Sequence, residues 1–461
     1  MATPDSSQTA DPADGSDGAE IGFVLIGAGS TVFTPGLLRD LARSPLSDRY
    51  DVRLVDLDAD AAQTMAQLGD RVAREAGSRM RVSAHTDRRL ALPGATFVVT
   101  TIAVGSAPGW RADLDIPARH GVHQTVGDSV GPGGVLRALR HVPELAAIAR
   151  DVEELAPAAW LVNYSNPLTA NVRAVTRTTG VRTFGLCHGT MHTKAALAAE
   201  LGVPGDALHA VFAGLNHLCW LLDVRLGTED LYPRLREIVG KRVTAGRDAE
   251  PDPREGLHQP VSADLLATFG RYPAPGDRHV SEFFGDYLAA SHDGSLAWGL
   301  QGGQDMTRHY IDEKSDLWDR LHAQARGEAD LDDGGNQEAE RLVAIAEALV
   351  TGRDLVELAV NLPNRGAISN LPPDAVVEVP ALVNGSGVTP LAVGELPAGI
   401  AAVLTSRSLQ QEVTVEAALT GDRALAVEAL VLDPLVPDSA TARAILRDAA
   451  LAQPGTLGVF G

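Results

Sequence analysis

The chain has 461 residues, more than one small core organises, so two closely joined domains are expected. Apolar residues make up 45% of it and charged residues 21%, an ordinary balance for a globular protein in water. With 39 basic and 60 acidic residues the formal charge is −21, which disfavours nucleic acid and anionic membrane surfaces as partners.

Residues 1–20 are rich in Asp, Ser, Gly and Ala and have neither a basic start nor an apolar core, so they read as a disordered acidic tail rather than a secretory signal. Ile21–Thr34, IGFVLIGAGSTVFT, then places an apolar run directly before Gly27, Gly29 and Ser30, with a helical segment, Pro35–Leu41, behind them. Strand, glycine turn and helix form the order in which a backbone turn and helix N-terminus can cradle a pyrophosphate. The pattern is partial, because Val32 stands where a third glycine would be. Asp51–Leu57, DVRLVDL, is a second strand ending in Asp56, placed to bond the ribose hydroxyls of NAD and to repel the extra phosphate of NADP; Asp58 is the neighbouring alternative.

Further along, a helix is expected over Asp60–Ala76 and a central strand over Ala95–Ile102. Asp113 and Asp115 precede Ile116-Pro117, and either could serve as a general acid. Gln124–Gly134, QTVGDSVGPGG, is too glycine-dense and too poor in apolar anchors for core, so it reads as a ligand-facing loop. After the expected helix Pro143–Leu155, the strand Trp160–Val162 runs into Asn166-Pro167, where the amide could bond a substrate hydroxyl or simply make a turn. The strand Val181–Leu186 delivers Cys187 and His188, ahead of a helix from Met191 to Leu201.

His217 follows Cys187 by thirty residues. A thiolate and an imidazole can share a divalent transition metal while leaving positions open for substrate. Read locally, a buried thiol and a hydrogen-bonded histidine are the plainer account, and Cys219 between Leu218 and Trp220 reads as core. The two cysteines make no disulfide framework and fit a reducing, cytoplasmic setting. Residues 240–280 are expected to form long loops, with Asp277-Arg278-His279 bringing an acid, a fixed cation and an imidazole together. An acidic loop is expected over Ala329–Asn336, a helix over Glu338–Leu349, strands within Val356–Val383 and helices over Leu396–Ala452.

Six segments in order resemble family four of the glycoside hydrolases, the NAD- and metal-dependent glycosidases: GAGST with FTPGLLRDL, DLDIPARHGVHQTVGDSVGPGG, NYSNPLT, GLCHGT, GLNHLCW and NLPNRGAISNLPPDAVVEVP. The resemblance runs over nearly the whole chain after the tail. It implies an α/β fold, with a Rossmann-type NAD domain of the lactate/malate dehydrogenase kind (residues 21–195) joined to a second α/β domain for substrate and oligomerisation (residues 196–461). NAD and Mn2+, or another divalent metal, are the implied cofactors, a small carbohydrate the implied substrate, and a homodimer or homotetramer the implied assembly.

Carried over by position, the resemblance makes Cys187 and His217 the metal ligands, Asn166 a substrate contact, and Asp113 the general acid with Asp115 as alternative. The base falls in RYPAPGDRHVSEF, at Asp277 or Tyr272. His188 could orient substrate, and Arg278 could hold a substrate carboxylate or be a surface residue. The CHGT segment is similar to the α-glucuronidase form, and the QTVGDS…GPGG and GDRH segments to the α-galacturonidase form; both imply a terminal α-linked uronic acid. The implied chemistry is coherent: a sugar C2–H is too weak an acid for a protein base until C3 is oxidised, after which C2 deprotonation can expel the leaving group, water adds at C1, and the hydride returns. A neutral-sugar α-glucosidase or α-galactosidase, a 2-hydroxy-acid dehydrogenase and a degenerate NAD-binding protein stay open as alternatives.

Overall fold

The structure, a computed structural model, describes residues 20–241, 259–289, 295–331 and 341–461. Residues 1–19 of the expected tail, 242–258 of the expected long loops, and most of the acidic loop expected over Ala329–Asn336 lie outside the described residues.

Six strands make a parallel half-sheet: β1 (Ile21–Ile26), β2 (Tyr50–Val55), β3 (Arg81–His85), β4 (Ala95–Thr100), β5 (Trp160–Asn163) and β6 (Arg182–Gly185). Their spatial order, β3-β2-β1-β4-β5-β6, is that of a Rossmann-type domain. Helices cover both faces of such a sheet, so the central strands are apolar without alternation, and all six residues of β1 are buried. Phe23 of β1 stacks on Phe97 of β4 at 5.0 Å and meets Tyr50 of β2 edge-on at 5.1 Å, which ties the three strands together.

The sheet then continues with antiparallel strands. These are β7 (Leu208–Leu215), β8 (Leu218–Leu226), β9 (Glu229–Asp230), β10 (Tyr272–Ala274), β11 (Leu355–Pro363), β12 (Val376–Asn384) and β13 (Gly387–Pro390). From β6 the order runs β11-β12-β7-β8-β10, with β13 on β12 and β9 on β8, giving thirteen strands in one sheet. The fold is therefore a Rossmann-type domain with a second, mixed α/β part.

Three helices, Ala398–Thr420, Arg423–Val431 and Ser439–Ala452, fold back over the helix Gly131–Leu155. Leu136, Leu139 and Val142 there share a core with Val415, Leu430 and Leu446. Two sequence expectations need correction here. Gly131–Leu155 begins twelve residues before the expected Pro143, and Pro260–Phe269 is a helix within the stretch expected to be loop. The glycine turn follows β1, Asn166 follows β5 and Cys187 follows β6, so all three lie at carboxyl ends of parallel strands, where ligands bind in such folds.

Candidate active site

The turn after β1 depends on its glycines. Gly27 has φ +91°, and a Cβ there would lie 2.8 Å from the Thr101 backbone. Gly29 donates its N–H to Asp56 Oδ2 at 2.7 Å, and a Cβ on Gly29 would meet that same oxygen at 2.9 Å. Ser30 Oγ accepts from Phe33 N at 3.2 Å where the helix Phe33–Arg43 begins. Asp58 is spent on the next helix, Ala59–Ala76, where its carboxylate accepts from Asp60 N and Ala61 N. A cavity of about 870 Å³ opens here, lined among others by Gly27, Gly29, Ser30, Asp56 and Thr31. The buried Thr31 hydroxyl has no partner among the described residues. An open backbone cradle, the helix N-terminus just beyond it and a carboxylate at the end of β2 fit a dinucleotide.

Three strands along the sheet from β1, just past the end of β6, Cys187 Sγ lies 3.6 Å from His217 Nε2. Thiolate–metal bonds of about 2.3 Å and imidazole–metal bonds of about 2.1 Å, meeting near the tetrahedral angle, separate two donors by about 3.6 Å. The pair therefore fits one shared ion. His217 occupies the two-residue turn between β7 and β8 and has φ 67°. A side chain in that left-handed region costs about 1–3 kcal/mol unless the surroundings hold it there.

His217 is held on its other nitrogen. Ser129 Oγ lies 2.9 Å from Nδ1 and donates to Asp128 Oδ1 at 2.9 Å, while Asn166 Nδ2 donates to Asp128 Oδ2 at 2.8 Å. With Nδ1 carrying the proton, Nε2 keeps its lone pair turned toward Cys187. The His279 ring is 3.9 Å from the His217 ring, and its buried Nδ1 has no partner among the described residues. Asp128, His217 and His279 each bring one donor atom within 4.8 Å of the others.

Charge follows this geometry. Burial disfavours the His217 imidazolium, but the Cys187 sulfur and the Asp128 and Glu378 carboxylates outweigh it and raise its pKa to about 9, so an ion bound there would displace the Nε2 proton. Burial and the neighbouring His217 push His279 down to about 3, so it is neutral. Burial works against ionising Asp128, yet His217 and Arg137 hold it below the usual carboxylate range. The Gln124–Gly134 segment that presents Asp128 is anchored by buried Glu282. One oxygen of that side chain accepts from Thr125 N, Val126 N and Gly127 N at 2.9, 2.8 and 2.8 Å.

The sequence profile described as Family 4 glycosyl hydrolase matches residues 22–203, and that of the Family 4 glycosyl hydrolase C-terminal domain matches residues 212–436. The chain belongs to glycosyl hydrolase family 4. Within family 4 it is 33% identical over 433 residues to an alpha-galacturonidase of Bacillus subtilis (strain 168), covering 90% of this chain and 94% of that one. It is 31% identical over 414 residues to an alpha-galactosidase of the same organism, covering 89% and 92%. Among solved structures, a 6-phospho-alpha-glucosidase from gut microorganisms, in complex with NAD and Mn2+, superposes with a TM-score of 0.79. It is 25% identical and covers 95% of this chain and 99% of that one.

Against that family background, the structure brings Cys187, His217 and Asn166 together, with His188 beside them. His188 opens the helix Gly189–Leu201, and its ring is 6.1 Å from that of Phe33, just past the glycine turn. Three other expected site residues have structural partners of their own. Asp113 is fully buried on the helix Ser106–Arg119, with both oxygens held by Arg140 at 2.6 and 2.7 Å, so it presents nothing to a substrate. Asp277 caps the helix Pro260–Phe269, accepting from Val261 N and from both the N–H and the hydroxyl of Ser262, so it is not a free base. Tyr272 is 2% exposed on β10 and packs in a core with Leu197, Phe212 and Leu221.

Arg278 is half-buried, and its carbonyl accepts from the Thr125 hydroxyl, which ties this loop to the Gln124–Gly134 segment. Asp115 lies two residues beyond Asp113 on the same helix. Asp128, Ser129 and Glu282 are not picked out by sequence, and His279 enters only as one member of the Asp277-Arg278-His279 triplet. Their two segments were flagged by glycine density and by the acid–cation–imidazole triplet, but nothing local picks the member that faces the centre.

Proposed function

We propose that this family 4 glycosidase hydrolyses a terminal α-linked uronic acid, an α-galacturonide or α-glucuronide, with NAD and a divalent metal ion, manganese first, as resident cofactors. The observation that carries the reading is the 3.6 Å approach of Cys187 Sγ to His217 Nε2, beside Asn166 and at the same carboxyl edge of the parallel strands as the glycine turn. When bound, NAD supplies a hydride acceptor and donor at C3, and the ion a Lewis acid at the sugar oxygens.

In this reading Cys187 and His217 hold the ion, and Gly27, Gly29, Ser30 and Asp56 hold the dinucleotide. Asn166 donates to Asp128, which leaves its carbonyl oxygen to accept a sugar hydroxyl. Asp128 accepts from Ser129 and Asn166, but its side chain is 16% exposed beside His217 and stays ionised, so it takes over from Asp277 and Tyr272 as the base for the C2 proton. His188 replaces Asp113 as the group that protonates the leaving oxygen. Arg278, in the same turn as His279, supplies the cation that a uronate carboxylate needs. The reading extends to a cofactor unit over residues 21–195, a substrate unit over residues 196–461, a homodimer or homotetramer, and a cytoplasmic setting. No helix among the described residues is long and apolar enough to cross a membrane.

A neutral α-galactoside is the second reading, favoured by the 31% identity to an alpha-galactosidase. The test is a panel of p-nitrophenyl α-galacturonide, α-glucuronide and α-galactoside in D₂O with NAD and Mn2+. The expected result is release from a uronide, deuterium at C2 of the sugar and no net NADH. Faster turnover of the galactoside selects the second reading. Steady NADH without nitrophenol would overturn the glycosidase mechanism.

A further inference from the structure

The helix Gly303–Arg326 lies far along the chain from the glycine turn, yet its Trp318 lines the same cavity as Gly27, Asp56, Leu57 and Asp58. Its register on the helix Ala59–Ala76 is pinned by His322. The Nδ1 of His322 lies 3.2 Å from Thr64 Oγ1, and its Nε2 lies 3.8 Å from Asp60 Oδ2. Trp318 stands one turn before His322, with the two rings 5.5 Å apart, so both side chains share the helix face turned toward the start of Ala59–Ala76. That places the indole at the end of the cavity beyond Asp56.

Leu57 directly follows Asp56 and also lines the cavity, and it is 96% exposed. A leucine held open at the wall of a concave site, with an indole on the same wall, is apolar surface that a flat apolar group can cover. The order of groups along a dinucleotide identifies that group. With the pyrophosphate at Gly27–Ser30 and a ribose at Asp56, the next group outward is the adenine.

We propose that Leu57 and Trp318 form the adenine subsite, with Trp318 as its aromatic platform, so that the C-terminal part of the chain helps to set affinity for the cofactor. The inference rests on the NAD reading above and adds to it residues outside the glycine motif. Stacking is tolerant of ring substitution, so phenylalanine serves where alanine does not.

The test is calorimetric titration of the full chain and of Trp318→Ala, Trp318→Phe and Leu57→Ser with NAD⁺, ADP and nicotinamide mononucleotide. Leu57→Ser changes an exposed side chain and so keeps the question answerable if Trp318→Ala folds poorly. Trp318→Ala is expected to weaken NAD⁺ and ADP by about fivefold to a hundredfold. Leu57→Ser is expected to weaken them by at least about threefold. Trp318→Phe is expected to stay within about threefold of the parent, and nicotinamide mononucleotide, which has no adenine, to bind all four proteins alike. Tryptophan fluorescence should be quenched by ADP in the parent and not in Trp318→Phe. Unchanged NAD⁺ affinity in Trp318→Ala and Leu57→Ser overturns the subsite, as does a parallel loss for the mononucleotide. A parent chain that binds neither NAD⁺ nor ADP overturns the NAD reading itself, and the subsite with it.

Discussion

Cys187 alone cannot hold an ion in an open site; His217 must arrive with the correct nitrogen forward. Two changes separate the ligand from the group that aims it. Cys187→Ser replaces a thiolate by a hydroxyl that stays protonated at neutral pH, so Mn2+ affinity, read by electron paramagnetic resonance titration, is expected to fall by well over tenfold. Ser129→Ala leaves both donors in place but removes the partner of His217 Nδ1, 2.9 Å away. Loss of such an outer partner costs about 10- to 100-fold in metal affinity, so its titration should fall between parent and Cys187→Ser. Chelation should abolish hydrolysis by the parent and added Mn2+ restore it. Asp113 calls for a different experiment. Its pair with Arg140 has no exposed surface, and removing one partner of a buried pair costs about 3–5 kcal/mol. Asp113→Asn is therefore expected to lower stability to urea by about that amount, with kcat per folded molecule nearly unchanged. A fall of a hundredfold or more in that kcat would return Asp113 to the reaction. In sequence, Asp113 had the features of an acid, because nothing local announces an arginine 27 residues away that takes both of its oxygens.

The Gln124–Gly134 segment shows how an element carries the site. It brings Asp128 and Ser129 to His217, and Glu282 gathers three of its backbone N–H groups on one oxygen. Glu282→Ala leaves those buried donors without an acceptor, at about 1–3 kcal/mol each before relaxation. The expected outcome is a stability loss of about 3 kcal/mol or more, with weaker Mn2+ binding because Ser129 is no longer fixed; thermal denaturation and metal titration read the two separately. Parallel strands such as β1 and β4 were legible because burial on both faces requires continuous apolar runs. The start of the helix Gly131–Leu155 was not. Gly133 and Gly134 read as loop, whereas they are helical and needed for close approach: a Cβ would lie 2.9 Å from the Asp113 carbonyl at Gly133 and 2.5 Å from the Ser129 backbone at Gly134. The order of strands and the Cys187–His217 pair could be drawn from sequence through the family resemblance. The Asp277 cap and the burial of Tyr272 depend on a helix and a core that come together only in three dimensions.

Across the whole molecule, these buried carboxyls make stability depend on pH. Burial raises Glu282 from its usual value near 4.5 to about 7, against the pull of its three N–H donors, and raises Asp277 from 3.8 to about 6. A carboxyl with a folded pKa above its unfolded one holds a proton in the folded chain that the unfolded chain has already released. Its favourable contribution is full below the unfolded value and is lost as pH rises through the folded one. For these two groups the window runs from about pH 4 to 7. Carboxyls with depressed values, such as Asp151 and Asp128, act in the opposite sense, but their windows lie below their unfolded values near 3.8. Buried His279 and His141, held below the usual value near 6.5, act against these two carboxyls up to about pH 6.5, so the carboxyl contribution to the thermal midpoint between pH 5 and 7.5 is read against a variant that cannot ionise. Self-repulsion in a chain of formal charge −21 slopes the same way as the two carboxyls, because acidic groups elsewhere finish ionising over the lower part of this range. Salt and one substitution divide the two causes. Glu282→Gln keeps an oxygen acceptor and cannot ionise, so it should remove up to about 3 kcal/mol of the pH-dependent loss. That difference should persist at high ionic strength, where exposed charges are screened and buried ones are not. Parent and Glu282→Gln midpoints that run parallel from pH 5 to 7.5 would show that Glu282 is already ionised throughout, with its three N–H donors prevailing over burial.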